Sequence, residues 1–100
     1  MKIQLNASTI LVSELTELNG PNAGTFRDAA RAAITDAITT VDVDLSLTRF
    51  LDSSGLGALI ALQKTLAARR GTVRILNPSA TAQQILELTR LHRVFEIVRT

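Results

Sequence analysis

The chain has 100 residues and a mass of 10.8 kDa, which suits one hydrophobic core and excludes a multidomain protein. Because 46% of the residues are hydrophobic and 20% are charged, we expect a single domain over residues 1–100 that folds by itself. The sequence has no cysteine and one histidine, which excludes disulfides, thiolate chemistry and cysteine-based zinc sites. We therefore expect no metal site and no cofactor.

Charge is unevenly distributed along the chain. Residues 1–63 contain four basic and seven acidic residues, whereas residues 64–100 contain seven basic and two acidic ones. A basic segment can bind nucleic acid, but Trp and Tyr are absent and the three Phe residues stand far apart, so stacking surfaces are missing. We therefore expect no direct contact with nucleic acid. No apolar run is long enough to cross a membrane, and the alternating start is unlike a signal peptide, which predicts a cytoplasmic protein without membrane insertion.

The first half of the chain predicts two strands, a helix and a third strand. Residues 2–6 and 9–15 alternate apolar and polar side chains around a two-residue connection, which predicts a β-hairpin. After a cluster of turn formers at 19–22, apolar residues recur at helical spacing from Phe26 to Ala37, which predicts an amphipathic helix over about 22–38. Residues 41–47 alternate strictly, with Asp42 among the polar positions, which predicts a strand with one buried and one polar face.

A second helix is predicted over about 53–70. Apolar residues from Leu56 to Leu66 keep helical spacing. Arg69 and Arg70 suit the negative end of the helix dipole, and Gly71 suits the C-terminal cap.

The last part of the chain predicts a strand over 72–76 and a third helix. Asn77 before Pro78 predicts the cap and the first residue of this helix. Its apolar stripe of Ile85, Leu86, Leu88 and Leu91 runs to about His92, and residues 94–98 fit either a last strand or an extended tail. The order ββαβαβα, with an optional last strand, predicts the α/β class with some parallel pairing and helices packed on a small sheet.

One polar cluster stands out at the predicted start of the second helix: Asp52, Ser53, Ser54, Gly55, Leu56 and Gly57. Serine and aspartate commonly cap helices, so either serine could simply satisfy a backbone amide. Two glycines in a first helical turn cost about 1 kcal/mol each relative to alanine. They would keep the surface low so that a partner protein could approach the serine, or they would allow the helix to pack closely on the sheet.

A phosphate on Ser53 would change the charge of this surface. It would lie favourably at a helix N-terminus, but it would add about 1.5 to 2 negative charges beside Asp52 and could disrupt a complementary interface. A catalytic role has less support, because a serine nucleophile needs a base and the only histidine, His92, lies beside Arg90 and Arg93 at a predicted helix end. The glycines also lack the spacing of phosphate-binding loops. We therefore expect that the protein is not an enzyme.

With the strand before it and the apolar helix after it, the run Asp52-Ser53-Ser54-Gly55-Leu56-Gly57 resembles the STAS domain of bacterial anti-sigma factor antagonists. The resemblance extends over nearly the whole chain, through Leu18-Asn19-Gly20-Pro21-Asn22-Ala23 with Phe26, and through Asn77-Pro78. It implies the STAS fold, a small mixed central sheet with helices packed beside it.

The resemblance also implies a function. In that family the serine after the aspartate is phosphorylated by an ATP-dependent anti-sigma kinase and is restored by a serine phosphatase, which implicates Ser53. The unphosphorylated antagonist binds the anti-sigma factor or a related serine kinase and is released on phosphorylation. The positions implied in partner binding are Asn19, Gly20, Asn22, Asp52, Ser53, Ser54, Gly55, Leu56 and Gly57.

Two points leave the implied function open. Asn19 stands where the family typically has an acidic residue, which removes a negative charge near the presumed kinase-binding face. Some STAS domains serve instead as small accessory subunits of membrane transport complexes, in which the serine position is not a switch.

Overall fold

The computed structural model describes residues 1–100. Its strands are β1 (Lys2–Asn6), β2 (Thr9–Ser13), β3 (Glu17–Leu18), β4 (Thr40–Asp44), β5 (Phe50–Leu51), β6 (Thr72–Leu76) and β7 (Glu96–Val98). Its helices are α1 (Gly20–Ala33), α2 (Ser53–Ala67) and α3 (Ala80–Leu88), and a short 3-10 helix, Leu91–Arg93, precedes β7.

Five strands form a mixed sheet in the order β1-β2-β4-β6-β7. β1 and β2 form an antiparallel hairpin, whereas the other three pairs of neighbours are parallel. Parallel neighbours need crossover connections, and α1, α2 and α3 provide them in turn. The predicted α/β class, with a small mixed sheet and helices packed beside it, is confirmed. The segment 94–98, for which a strand and a tail were both open, contains β7.

The hydrophobic core lies between one face of this sheet and the helices. Val41 and Val43 alternate along β4 and are fully buried, and Leu59, Leu62 and Leu66 of α2 recur at helical spacing and are also fully buried. All 22 buried hydrophobic residues belong to one cluster, so the sheet and the helices share a single core. None of the helices combines the length and the hydrophobicity that a membrane crossing requires.

The other face of β4 is less exposed than its alternating sequence predicts. Asp42 is only 6% exposed, and Arg74 of β6 lies opposite it in the register. The Arg74 guanidinium donates to both carboxylate oxygens, at 2.7 and 2.8 Å. These hydrogen bonds raise the pKa of Arg74 above its usual value. The prediction of a polar residue here is correct, but its burial depends on a neighbouring strand.

Two strands and the first helix end earlier than predicted. β2 stops at Ser13, because the next residue, Glu14, adopts the left-handed conformation with φ of 59°. β4 stops at Asp44, whose carboxylate accepts a hydrogen bond from the Ser46 amide at 2.8 Å and so forms a turn.

The prediction of a first helix over 22–38 is wrong at both ends. α1 begins at Gly20 and ends at Ala33, because Ile34 is extended with φ of −80° and ψ of 100°. Ile38 still reaches the core, at 2% exposure, from the loop that follows. Arg69, two residues after the end of α2, donates hydrogen bonds to the Thr35 and Ile38 carbonyls. The apolar spacing beyond Ala33 therefore reflects burial by a tethered loop and not a helix.

The second helix was predicted to reach residue 70 with Gly71 as its cap, but α2 ends at Ala67. Arg70 takes the left-handed conformation, with φ of 61°, and the Gly71 amide donates to the Leu66 carbonyl at 2.7 Å. Gly71 meets a different requirement, since a Cβ there would lie 2.6 Å from the Thr39 carbonyl oxygen. It permits close packing of two chain segments.

The third helix was predicted to begin at Asn77-Pro78 and to run to His92, and both limits are wrong. Ser79 is the cap, since its Oγ accepts from the Ala82 amide at 3.1 Å. Asn77 instead accepts from the Thr100 amide at 2.8 Å and so holds the end of the chain. The helix stops at Leu88, and Arg90, with φ of 61°, turns the chain away from the helical path.

Candidate functional site

The candidate site is built on a second, two-stranded sheet that sequence periodicity did not reveal. β3 and β5 pair in parallel, with Leu18 opposite Leu51. Each strand leads directly into a helix, so the pairing places the caps Asn19 of α1 and Asp52 of α2 side by side. The Asp52 amide donates to the Leu18 carbonyl at 3.3 Å. Two helix N-termini, each with a positive dipole end, therefore meet at one surface.

The Asp52 carboxylate joins the two helix N-termini. Its Oδ1 accepts from the Gly55 amide within its own helix, and its Oδ2 accepts from the Gly20 amide of α1, both at 3.0 Å. Hydrogen bonds from the Gly55 amide, the largest cause, and from the Gly20 amide lower the pKa of Asp52 below its usual value of 3.8. The side-chain cap of α2 is therefore the aspartate and neither of the two serines.

The loop before α1 is held by Asn22. Its Nδ2 donates to the Glu17 carbonyl at 2.7 Å, and its Oδ1 accepts from the Asn19 amide at 2.9 Å. The neutral Asn19 side chain lies beside an acidic one, since its Nδ2 donates to Glu17 Oε2 at 3.4 Å. Where the resemblance leads us to expect an acidic residue, the chain thus has an amide beside a neighbouring carboxylate.

Ser53 and Ser54 are the first two residues of α2, and both are exposed. With capping assigned to Asp52, the serine hydroxyls are available at the surface formed by the two helix N-termini. A group attached to Ser53 would lie next to the Asp52 carboxylate in the sequence and at the positive end of the α2 dipole.

The two glycines of the cluster meet different needs. A Cβ at Gly55 would lie 2.1 Å from the Leu18 carbonyl oxygen, whereas a Cβ at Gly57 would meet no atom within 4 Å. Gly55 thus allows α2 to pack closely on β3, and Gly57 leaves an exposed helical position without a side chain. Gly55 and Leu56 are buried, so the structure brings together seven of the nine implied positions at the surface and places these two beneath it.

A groove of about 370 Å³ borders this surface. Its lining residues are Asn19, Arg49, Phe50, Leu51, Asp52, Thr81 and Ile85. It lies between β5 and α3, and sequence analysis missed it because β5 has only two residues. One signal was present in the sequence, because the apolar stripe assigned to the third helix is too wide for every member to be buried. In the structure Leu88, a member of that stripe, is 77% exposed.

His92 lies away from the helix N-termini just described. It belongs to the 3-10 helix after α3, where its Nδ1 is 3.3 Å from the Leu86 carbonyl oxygen. No group of three or more His, Asp or Glu side chains comes together in an arrangement that could hold a metal ion.

Known proteins share this sequence pattern and fold. The family model described as "Mlab, STAS domain" matches residues 1–99. No curated protein sequence matches the chain.

Solved structures of the same fold include regulatory proteins and part of a transporter. The anti-sigma factor antagonist SpoIIAA in its unphosphorylated form has 24% identity and a TM-score of 0.86 over 99% of this chain and 86% of that chain. Its phosphorylated form, from Bacillus, has 24% identity and a TM-score of 0.80 over 99% and 89%. A putative anti-sigma factor antagonist from Thermotoga maritima has 20% identity and a TM-score of 0.88 over 99% and 85%.

The murine anion transporter Slc26a9 has 22% identity and a TM-score of 0.73 over 90% of this chain and 15% of that chain. At these identities the likeness concerns the fold.

Proposed function

Since this chain belongs to the STAS domain family, we propose that it is a regulatory binding protein, not an enzyme, and acts as an anti-sigma factor antagonist. In its unphosphorylated form it binds an anti-sigma factor that is also a serine kinase, or a related serine kinase. Phosphorylation of Ser53 releases the partner, and a serine phosphatase restores binding. We place this switch in the cytoplasm, with residues 1–100 as one functional domain.

The observation that carries this proposal is the position of Ser53. It is exposed at the start of α2, directly after an aspartate that already caps the helix. A kinase can reach its hydroxyl without displacing a structural hydrogen bond of the cap. The proposed partner surface consists of five exposed positions, Gly20, Asp52, Ser53, Ser54 and Gly57, and the half-buried Asn19 and Asn22.

The release step follows from charge. A phosphoserine carries about 1.5 to 2 negative charges at neutral pH. The Asp52 carboxylate already occupies the Gly55 and Gly20 amides, so the phosphate adds charge beside an existing anion. The change is local, and we expect α2 and the sheet to stay folded while a partner surface that matched the neutral serine is repelled.

The test is a binding experiment with three baits in lysate from the source organism. Ser53→Ala is expected to retain an ATP-binding serine kinase, and Ser53→Asp is expected to lose it. Ser8→Asp is the matched control, because Ser8 is an exposed serine between β1 and β2, at the opposite end of the parallel strands. It should bind like Ser53→Ala. Equal retention of the kinase by the Ser53→Ala and Ser53→Asp baits would refute the switch.

A second candidate is an accessory subunit of a membrane transport complex. The occurrence of this fold within the anion transporter Slc26a9 favours it. In that case Ser53 is only an exposed residue beside a cap. Recovery of the same membrane transport components by the Ser53→Ala and Ser53→Asp baits would support the subunit over the switch.

A further inference from the structure

The groove between β5 and α3 has the chemistry of a docking site. Phe50 and Ile85 line it, and Leu88 lies one turn beyond Ile85 on the same side of α3. Phe50 is 62% exposed and Leu88 is 77% exposed. Large apolar side chains that are this exposed beside a groove mark interaction surfaces more often than ones scattered singly over the surface do.

Two charged side chains line the groove, Arg49 and Asp52, and they differ in whether they already have a hydrogen-bond partner. Arg49 is exposed, and the chain's two ion pairs, Arg27 with Asp28 and Arg74 with Asp42, leave it without an acidic partner. Its backbone is held in place, since its amide donates to the Thr16 carbonyl at 2.9 Å. Asp52 also lines the groove, but its two oxygens accept from the Gly55 and Gly20 amides. The Asp52 carboxylate is thus anionic but already bonded, and Arg49 is the charged side chain of the groove that remains free to pair with an incoming carboxylate.

We propose that this groove binds a segment of the partner protein that carries a large apolar side chain next to a carboxylate. The apolar side chain packs against Phe50 and Ile85, and the carboxylate pairs with the Arg49 guanidinium. A small molecule filling the groove would leave Leu88 in water, because Leu88 is not among the lining residues, whereas a peptide segment lying along α3 covers it as well. Apolar anchors supply most of the affinity of such sites, and a charge pair adds specificity.

The groove is continuous with the surface around Ser53, since Asn19 and Asp52 border both. The inference rests on the proposed function for the identity of the partner as a kinase, but not for the chemistry of the bound segment. It gives the partner a second contact, which the phosphate on Ser53 does not occupy.

A library of random peptides displayed on phage and selected on the wild-type protein tests the groove without knowledge of the partner. The selected peptides should carry a large apolar residue beside Asp or Glu, and in NMR spectra of the labelled protein they should shift the amides of Phe50, Ile85 and Leu88. Peptides without an acidic residue, peptides that bind elsewhere, or no selected peptides at all would overturn the proposal.

Variants of exposed residues then separate the two contributions. Phe50→Ser and Arg49→Glu should each weaken binding of the selected peptide by about tenfold or more, which corresponds to about 1.4 kcal/mol. Leu5→Ser and Arg31→Glu are matched controls, because both side chains are exposed, Leu5 on β1 and Arg31 in the last turn of α1. They should bind as the wild type does.

A charge reversal completes the test. A peptide with Lys in place of its acidic residue should bind Arg49→Glu better than it binds the wild-type protein. Equal affinity of all variants for the original peptide contradicts the inference, provided that circular dichroism shows the same unfolding temperature for each.

The failure of this inference is distinguishable from the failure of the proposed function. If the cellular kinase depends on Ser53 but binds equally to Arg49→Glu and Phe50→Ser, the groove proposal alone is wrong. If the selected peptides occupy the groove and no partner depends on Ser53, the switch alone is wrong.

Discussion

The two glycines of the serine cluster should respond in opposite directions to the same substitution. Gly55→Ala places a methyl group 2.1 Å from the Leu18 carbonyl oxygen and 2.8 Å from its carbonyl carbon. Both atoms belong to the backbone of β3, so no side chain can turn away to relieve the contact. The strand and the helix must move apart by about an ångström, which is an overpacking strain of about 1 to 3 kcal/mol.

The movement also reaches the candidate site. Leu18 accepts the hydrogen bond from the Asp52 amide, and Asp52 bridges to the Gly20 amide. Separating β3 from α2 therefore weakens the alignment of the two helix N-termini. A gain of about 1 kcal/mol in helix propensity offsets only part of this cost, and we expect Gly55→Ala to destabilise the protein.

Gly57→Ala is the matched comparison, because it lies on the same helix and its Cβ would meet no atom within 4 Å. Here helix propensity acts without strain, and the free energy of unfolding should rise by about 0.5 to 1 kcal/mol. For a domain of this size, about 1 kcal/mol shifts Tm by roughly 4 to 8 °C.

Thermal and urea unfolding followed by far-ultraviolet circular dichroism measures both effects. The Tm of Gly57→Ala should lie above that of the wild type, and the Tm of Gly55→Ala should lie below it. If Gly55→Ala is as stable as the wild type, the close packing of α2 on β3 is refuted. If Gly57→Ala keeps its higher Tm but binds the partner more weakly, the partner contacts the helix at Gly57 and needs the absence of a side chain there.

Three further predictions concern charges and backbone conformation. Arg74→Met should lower the free energy of unfolding by about 1 to 3 kcal/mol, because it leaves the Asp42 carboxylate without its partner at a site that water partly reaches. Asp42→Leu combined with it should recover most of the loss in urea unfolding, and a double variant that is less stable than the single one contradicts this account. Because the pKa of Asp52 is lowered in the folded state, its ionised form contributes stability above its usual pKa of 3.8 and loses that contribution as pH falls through the lower folded value. The stability difference between the wild type and Asp52→Asn should therefore be constant at neutral pH and shrink in acid, and a difference independent of pH in urea unfolding would show that the two amide contacts do not favour the carboxylate. Arg70→Gly should raise the free energy of unfolding by about 0.5 to 1 kcal/mol, because the left-handed conformation with φ of 61° carries no Cβ penalty in glycine; an unchanged or lower Tm would place the strain elsewhere.

The sequence by itself determined the class of the fold and singled out the serine cluster at the start of α2. Alternation over 2–6, 41–47 and 72–76 and helical spacing around 56–66 depend only on neighbours along the chain, so they predicted the order of the main elements. The run from Asp52 to Gly57 resembled a known motif, and the family model that matches residues 1–99 confirms that resemblance.

The tertiary structure decided how the site is assembled. β3 and β5 have two residues each, too few to show a period, yet their pairing brings Asn19 and Asp52 together across the chain. Whether Gly55 is needed for packing, whether Asp42 is buried and whether Arg49 has a partner each depend on residues distant in sequence. Periodicity records which face of an element is apolar, but contacts between elements determine what that face meets.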